Sequence, residues 1–380
     1  MTALALTGAT VVGPDGLLPG HAVIVEDGRI AAIVPEDALP RGCRETRLDG
    51  GLLLPGFIDT QVNGGGGVLL NDEPSVAGMA AIAAAHRRFG TTAMTPTLIS
   101  DELEVVRQAI EATEAALDQG VPGVLGLHIE GPFLNADKRG IHDAARIRVL
   151  DEAALTLLTR PTRGRRIVTL APELAPPGAI RALTAAGVIV MAGHSLATYD
   201  QIRAALDEGL AGYTHLFNAM TQLGSREPGM VGAALSDRRG YFGLIVDGVH
   251  VHPATLRVAL AAGGADRALL VTDAMPTVGS ASDRFKLGDR EIVVRDGSCR
   301  AEEGTLAGSN LDMASAVRNT VTMLGVDVTA ASRMASGNPA WFLRLKDGYG
   351  AIAPGLRADF VLLDDRLQVR QVWSGGQAQP

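Results

Sequence analysis

Eight short, β-rich segments recur through the middle of the chain, at 56–63, 92–98, 124–130, 167–172, 188–194, 212–217, 241–247 and 268–273. Alanine-rich stretches of helical period separate most of them, at 75–89, 101–117, 180–186, 198–209 and 253–262. Strands that alternate with helices in this way predict a parallel sheet, because each crossover must carry the chain back to the same end. The runs GVLGL, IVTLA, VIVMA and ALLV are apolar throughout rather than alternating, so these strands are buried on both faces. That fits a closed (β/α)8 barrel of the TIM type better than an open doubly wound sheet, which stays as the alternative. The helix signals agree. Ser100-Asp-Glu-Leu-Glu reads as an N-cap with acidic first-turn residues, and Gly90, Gly120, Gly187 and Gly209 sit where helices should stop.

The two ends of the chain lack long helices and read as short strands joined by turns such as Pro14-Asp-Gly and Glu26-Asp-Gly. The expected organisation is a small β-sandwich built from residues 1–51 and 347–380, flanking a barrel at 52–346. A hairpin-like insertion at 288–300 follows the last barrel strand. With 380 residues and 47% hydrophobic content, both parts can bury a core. A net charge of −8, with no run of Lys or Arg, argues against nucleic acid or an anionic membrane as a partner. Only two cysteines occur, Cys43 and Cys299, in no metal-binding or disulfide pattern, which suits a reducing cytoplasm. No apolar run approaches the roughly 18 residues of a membrane span.

In a barrel of this kind the C-terminal ends of the strands carry the chemistry. The polar residues collect there: Gln61 and Asn63, His128 and Glu130, His194, His215, Asp247 and His250, and Asp273. A single buried histidine at a strand end more often just hydrogen-bonds to a loop. Glu130, His194 and His215 end three separate apolar strands, and two imidazoles with one carboxylate form the first shell of a catalytic zinc with an open position. Asp273 in LLVTDAM could be a fourth ligand, a loop cap, or a general base. Asn218 and Arg226, in the long loop after the sixth strand, could grip an anion. Gly64 to Gly67 lacks the frame of a phosphate-binding loop.

The segments PGFIDTQVNGGGG, LGLHIEGPFLN, VTLAPE, AGHS, THLFNAM, REPGMVGA, DGVHV, LVTDAM and EEGTLAGSNLDM resemble, in order and spacing, the N-acetylglucosamine-6-phosphate deacetylases of the amidohydrolase superfamily. The resemblance runs from about residue 51 to residue 363. It implies a distorted (β/α)8 barrel and hydrolysis of the acetamido group of N-acetylglucosamine 6-phosphate by a metal-activated water, giving glucosamine 6-phosphate and acetate. It further implies one divalent ion per chain, zinc or else iron, held by Glu130, His194 and His215. Asp273 matches the catalytic acid/base, and His250 the side chain that polarises the amide carbonyl. His142 matches a substrate-binding histidine, while Asn218, Ala219 and Arg226 fall at phosphate-binding positions, the Arg in some dimers coming from the neighbouring subunit. Ile141, Leu306, Ala307 and Gly308 fall where loops wrap the sugar. A homodimer or a tetramer is implied.

Broader amidohydrolases carry His-x-His at the end of the first barrel strand, where it binds a second metal. This chain has Gln61 and Asn63, and neutral amides bind zinc poorly, so a degenerate second site is expected. Asp59 is expected to support the strand end. The galactosamine epimer as substrate, and a catalytically silent sugar-phosphate binder, are the alternatives; a binder has no need of a water-activating carboxylate at Asp273.

Overall fold

The computed structural model describes residues 3–380. Eight parallel strands form a single sheet in sequence order: β1 (Phe57–Val62), β2 (Thr91–Ile99), β3 (Gly126–Glu130), β4 (Arg165–Leu170), β5 (Ile189–Ala192), β6 (Gly212–Tyr213), β7 (Tyr241–Leu244) and β8 (Ala268–Leu270). The barrel closes at its upper rim. A parallel bridge joins Val62 to Ala274, and Asp273 N–H donates to the Gln61 carbonyl at 2.9 Å. The open-sheet alternative is thereby excluded. Helices α1 (Val76–Arg87), α2 (Leu103–Asp118), α3 (Glu152–Leu158), α4 (Ala179–Ala185), α5 (Tyr199–Asp207), α6 (Gly229–Ser236), α7 (Pro253–Gly263) and α8 (Met313–Leu324) follow the eight strands in turn. None is long and apolar enough to cross a membrane among the described residues.

Local chemistry explains most helix ends. Ser75 caps α1 through Gly78 N–H, and Thr198 with Gln201 forms a full capping box on α5. Gly90, Gly120, Gly187 and Gly209 follow their helices with positive φ, as expected of stop residues. Ser100 corrects the reading of α2. Glu102 is the residue at the helix start, and the Ser100 hydroxyl bonds Nδ1 of His142 at 2.8 Å instead.

The chain ends build two further sheets. One pairs Arg29–Pro35, His21–Glu26, Leu4–Thr7 and Arg44–Arg47; the other runs Gln377–Ala378, Val369–Ser374, Phe360–Leu363, Leu52–Pro55, Thr10–Gly13 and Gly16–Leu18. Their facing side chains, among them Leu6, Val23, Leu53, Phe360 and Trp373, form a core separate from that of the barrel. The insertion after β8 is larger than the hairpin expected. Arg284–Leu287, Arg290–Arg295, Ser298–Ala301 and Leu306–Ser309 make a four-stranded antiparallel sheet that packs Ile292, Cys299 and Ala307 against Leu69, Ile141 and Met275 beside the barrel mouth.

The fourth to eighth strands stop earlier than the ranges expected from sequence, whereas the third ends at Glu130 as expected. The expected 188–194 ends at Ala192, 212–217 at Tyr213 and 268–273 at Leu270. His194, His215 and Asp273 then have φ of 48°, 31° and 51°. These left-handed conformations cannot belong to a strand, and for non-glycine residues each costs on the order of 1–3 kcal/mol. Of the nine non-glycine residues with positive φ among the described residues, five lie at this rim, because Phe217 and Ala219 join those three. The concentration marks the rim as the place where backbone strain is stored.

Candidate active site

Glu130 is the last residue of β3, while His194 and His215 turn inward just past β5 and β6. Their donor atoms converge: Glu130 Oε1 lies 3.1 Å from His194 Nε2 and 3.0 Å from His215 Nε2, and the two nitrogens are 3.0 Å apart. All three residues are buried. His194 Nδ1 faces the Lys138 carbonyl at 2.8 Å. A carbonyl only accepts, so Nδ1 carries the proton and a neutral His194 aims a lone pair from Nε2 at Glu130 and His215. Three acceptor sites on one point share at most the single proton of His215 Nε2, while His215 Nδ1 is buried without a partner. A tetrahedral ion with bonds of about 2.0–2.1 Å needs ligand atoms roughly 3.3 Å apart, close to what is seen. The donor set therefore fits a cation, and this is the one cluster of His, Cys, Asp and Glu among the described residues with metal-ligand geometry. Burial alone would raise the Glu130 pKa, but the bonds from His194 and His215 outweigh it and hold the carboxylate well below its usual range.

Gln61 and Asn63, expected as a degenerate second ion site, donate to carboxylates. Gln61 Nε2 donates to Glu130 Oε2 at 3.1 Å and to Asp273 Oδ1 at 3.2 Å, and Asn63 Nδ2 donates to the same Asp273 oxygen at 2.7 Å. The two amides separate negative charges that would otherwise meet. Burial and the charge of Glu130 push the Asp273 carboxyl up to about 6, against the lowering influence of His215, His250 and Asn63. Asp273 Oδ2 has no protein partner among the described residues and remains available for a proton.

A cavity of about 260 Å³ opens onto this cluster. Its lining includes Asn63, Glu130, Ile141, His142, His194, His215, Asn218, Ala219, His250, Asp273, Leu306 and Gly308, together with Ile99, Ile245, Met275 and Thr305, which were not read from sequence. Those four carry no chemical signature; only the fold shows that they face a void. His250 Nδ1 is paired with Asp247 Oδ2 at 2.6 Å, and Asp247 also caps the turn through the N–H groups of Val249 and His250. His142 accepts from Ser100 and stacks edge-on at 4.5 Å against His194; burial pushes its pKa down to about 3 and keeps it neutral. Gly308, with φ of 60°, lets the insertion pass beside Asp273, since a Cβ there would meet the Asp273 carbonyl oxygen at 2.8 Å.

Three of the expected residues do not present a free side chain to the cavity of their own chain. Ala307 is fully buried in the apolar cluster behind the cavity and does not line it, unlike Leu306 and Gly308 on either side. Arg226 is exposed on the loop between β6 and α6 and does not line the cavity. Asn218 lines it, but its side-chain amide donates back to the His215 and Leu216 carbonyls. His128 corrects the grouping of strand-end histidines. Its nitrogens meet the Thr60 carbonyl at 2.9 Å and Thr169 Oγ1 at 2.8 Å inside the barrel, and burial pushes it down to about 4.

The amidohydrolase family model matches residues 52–378, and a model of the NagA composite domain matches residues 4–53. The chain belongs to the amidohydrolase family. Curated relatives of this amidohydrolase include the N-acetylgalactosamine-6-phosphate deacetylase of Shewanella sp. (strain ANA-3), 43% identical over 97% of this chain and 94% of that one. The N-acetylglucosamine-6-phosphate deacetylase of Homo sapiens is 40% identical over 86% of this chain and 83% of that one. Among solved structures, the N-acetylglucosamine-6-phosphate deacetylase of Pasteurella multocida superposes with a TM-score of 0.96 at 33% identity, covering 99% of both chains. A mutant of the Mycobacterium smegmatis deacetylase in complex with N-acetyl-D-glucosamine 6-phosphate superposes with a TM-score of 0.90 at 33% identity, covering 100% of this chain and 99% of that one.

Proposed function

We propose that this amidohydrolase removes the acetyl group of N-acetyl-D-glucosamine 6-phosphate. The observation that carries the reading is the Glu130, His194 and His215 cluster set beside Asp273 in one cavity. Curated relatives named for either epimer match this chain over most of its length, and the structural neighbour solved with N-acetyl-D-glucosamine 6-phosphate supports the glucosamine reading.

Glu130, His194 and His215 would hold a divalent ion, with Zn2+ best suited to two imidazoles and a carboxylate, and it would supply Lewis acidity towards water and a carbonyl. Asp273 takes a proton from the attacking water on Oδ2, since Oδ1 is occupied by Gln61 and Asn63. The same carboxyl then protonates the departing amine, so that amide and water become amine and acetate. His250, its Nδ1–H held by Asp247, stabilises the charge developing on the acetamido oxygen in the form that carries a second proton, on Nε2, so that this nitrogen donates rather than accepts. His142, Ile141, Leu306 and Gly308 orient the sugar ring.

The cavity lining contains no Lys or Arg. A 6-phosphate therefore needs a cation from outside, and Arg226 presented from a neighbouring subunit of a homodimer meets that need. The two free cysteines suit a cytoplasmic enzyme. In the proposed division into a terminal β-sandwich and a catalytic barrel at 52–346, the strand Leu52–Pro55 pairs in the terminal sheet, and the catalytic and sugar-binding groups named above belong to the barrel part.

Metal analysis combined with acetate release from both epimers tests the reading. About one ion per chain and a higher kcat/KM for N-acetylglucosamine 6-phosphate are expected. Bound metal without acetate release would favour a sugar-phosphate binder, and a preference for the galactosamine epimer would move the assignment to the alternative substrate.

A further inference from the structure

Glu173 has no place in the chemistry above, yet it gathers three donors around His194. It follows β4 directly, in the short turn Pro172–Leu174. Its Oε1 accepts from Leu196 N–H at 2.6 Å and from Asn135 Nδ2 at 2.9 Å, and its Oε2 accepts from the Ser195 hydroxyl at 2.6 Å. Bonds to an ionised carboxylate are short and about twice as strong as neutral ones.

Each donor controls one handle of His194. Ser195 and Leu196 follow it immediately, so anchoring them restrains the turn that holds His194 at φ 48°. Asn135 works on the other side: its N–H donates to the His194 carbonyl at 2.9 Å, and its own carbonyl accepts from Lys138 N–H at 2.9 Å. Asn135 also starts the 3-10 turn Ala136–Lys138 by accepting Asp137 N–H. That turn delivers the Lys138 carbonyl to His194 Nδ1. The carbonyl decides the tautomer, and hence whether Nε2 offers a lone pair.

We infer that Glu173 is a positioning residue, which through Ser195, Leu196 and Asn135 fixes the backbone, ring orientation and tautomer of His194 as an ion ligand. Without it the left-handed turn has less to offset its strain, and the Lys138 carbonyl is free to move. Glu208 offers a comparison elsewhere in the barrel: its carboxylate accepts from Gly178 and Arg181 N–H at the start of α4 and bonds neither a proposed ion ligand nor the residues adjoining one.

The inference rests on Glu130, His194 and His215 binding an ion, and the experiment separates the two ideas. Metal-free unaltered protein, Glu173→Gln, Glu208→Gln and Asn135→Ala are titrated with Zn2+ against a competing chelator, and their thermal unfolding is followed without metal. Glu173→Gln is expected to weaken Zn2+ binding by about 10–100-fold, the range for losing an outer-shell partner. Glu208→Gln should lower Tm without changing Zn2+ affinity. Glu173→Gln combined with Asn135→Ala should weaken binding by less than the product of the single effects, because both act through one route. Unchanged affinity in Glu173→Gln, or an equal loss in Glu208→Gln, would overturn the inference while leaving the ion site intact. Failure of the unaltered protein to bind Zn2+ would sink both. Should Glu173→Gln not fold, Ser195→Ala removes one of the three bonds and faces the same criterion, with a smaller loss.

Discussion

Two kinds of buried histidine occur in this barrel, and they do opposite things. His128 is in the regular part of β3, points into the barrel interior, and has a partner for each nitrogen. The Thr169 hydroxyl it meets is linked onward to Thr214 at 2.6 Å, so the polar layer is closed on itself. His194 and His215 lie just beyond their strands in strained backbone, and their Nε2 atoms face each other and a carboxylate. A buried imidazole with every site matched is core; converging lone pairs with too few protons to share mark a place for a cation.

The largest effect expected separates the two directly. His215→Ala should abolish stoichiometric metal binding and lower turnover by on the order of 10⁴-fold, because an ion site with two remaining ligands is no longer held. His128→Ala should keep the ion and instead cost about 2–4 kcal/mol of stability, since the Thr60 carbonyl and the Thr169 hydroxyl lose their partner. Metal content and denaturant unfolding measured on both variants check this. Loss of the ion in His128→Ala would erase the distinction.

Next in size is the split between holding an ion and using it. Asp273→Asn should retain bound metal and lower kcat by about 10²–10⁴-fold, the usual contribution of a positioned acid/base. Steady-state kinetics with metal analysis will decide; unchanged kcat would remove Asp273 from proton transfer.

The smallest effect concerns Asp59, on the buried face of β1. It accepts from the Thr272 hydroxyl at 2.5 Å and from Gln61 N–H at 3.1 Å, but burial outweighs these bonds and pushes its carboxyl up to about 7. A carboxyl whose folded pKa is raised binds its proton more tightly in the folded state, so its contribution is most favourable at low pH and is lost as pH rises from about 4 to about 7. Asp59→Asn in the metal-free protein should therefore raise Tm by a few degrees at pH 8 and by less at pH 5. A gain at pH 5 as large as at pH 8 would contradict the buried, proton-holding role.

Much of the barrel was legible because apolar runs of strand length, separated by helical period, leave few other arrangements. The strand starts were read to within about two residues at every position. The ends of the sixth, seventh and eighth strands were not, because nothing in GYTH or LLVTD announces that the chain leaves the sheet and enters left-handed backbone at the polar residue. Ser100 was misread for a related reason: its hydroxyl suits a helix cap, yet His142, 42 residues on, competes for it and wins. The Gly64 to Gly67 run was legible only as space for a turn. The structure shows what needs that space, as a Cβ on Gly65 would meet the His86 ring at 2.8 Å.

By itself the sequence determined the alternation of strands and helices, the burial of the strands on both faces, and the presence of imidazole, carboxylate and amide side chains at one end of the barrel. These follow from residue type and period, which are local. Tertiary structure decided which of those side chains share a point: that Gln61 spans Glu130 and Asp273, that His128 turns into the core, that Arg226 stays outside, and that Glu173 reaches Asn135, Ser195 and Leu196. Such pairings depend on distances of a few tenths of an ångström between residues tens or hundreds of positions apart, and only closing the barrel brings them within reach of one another.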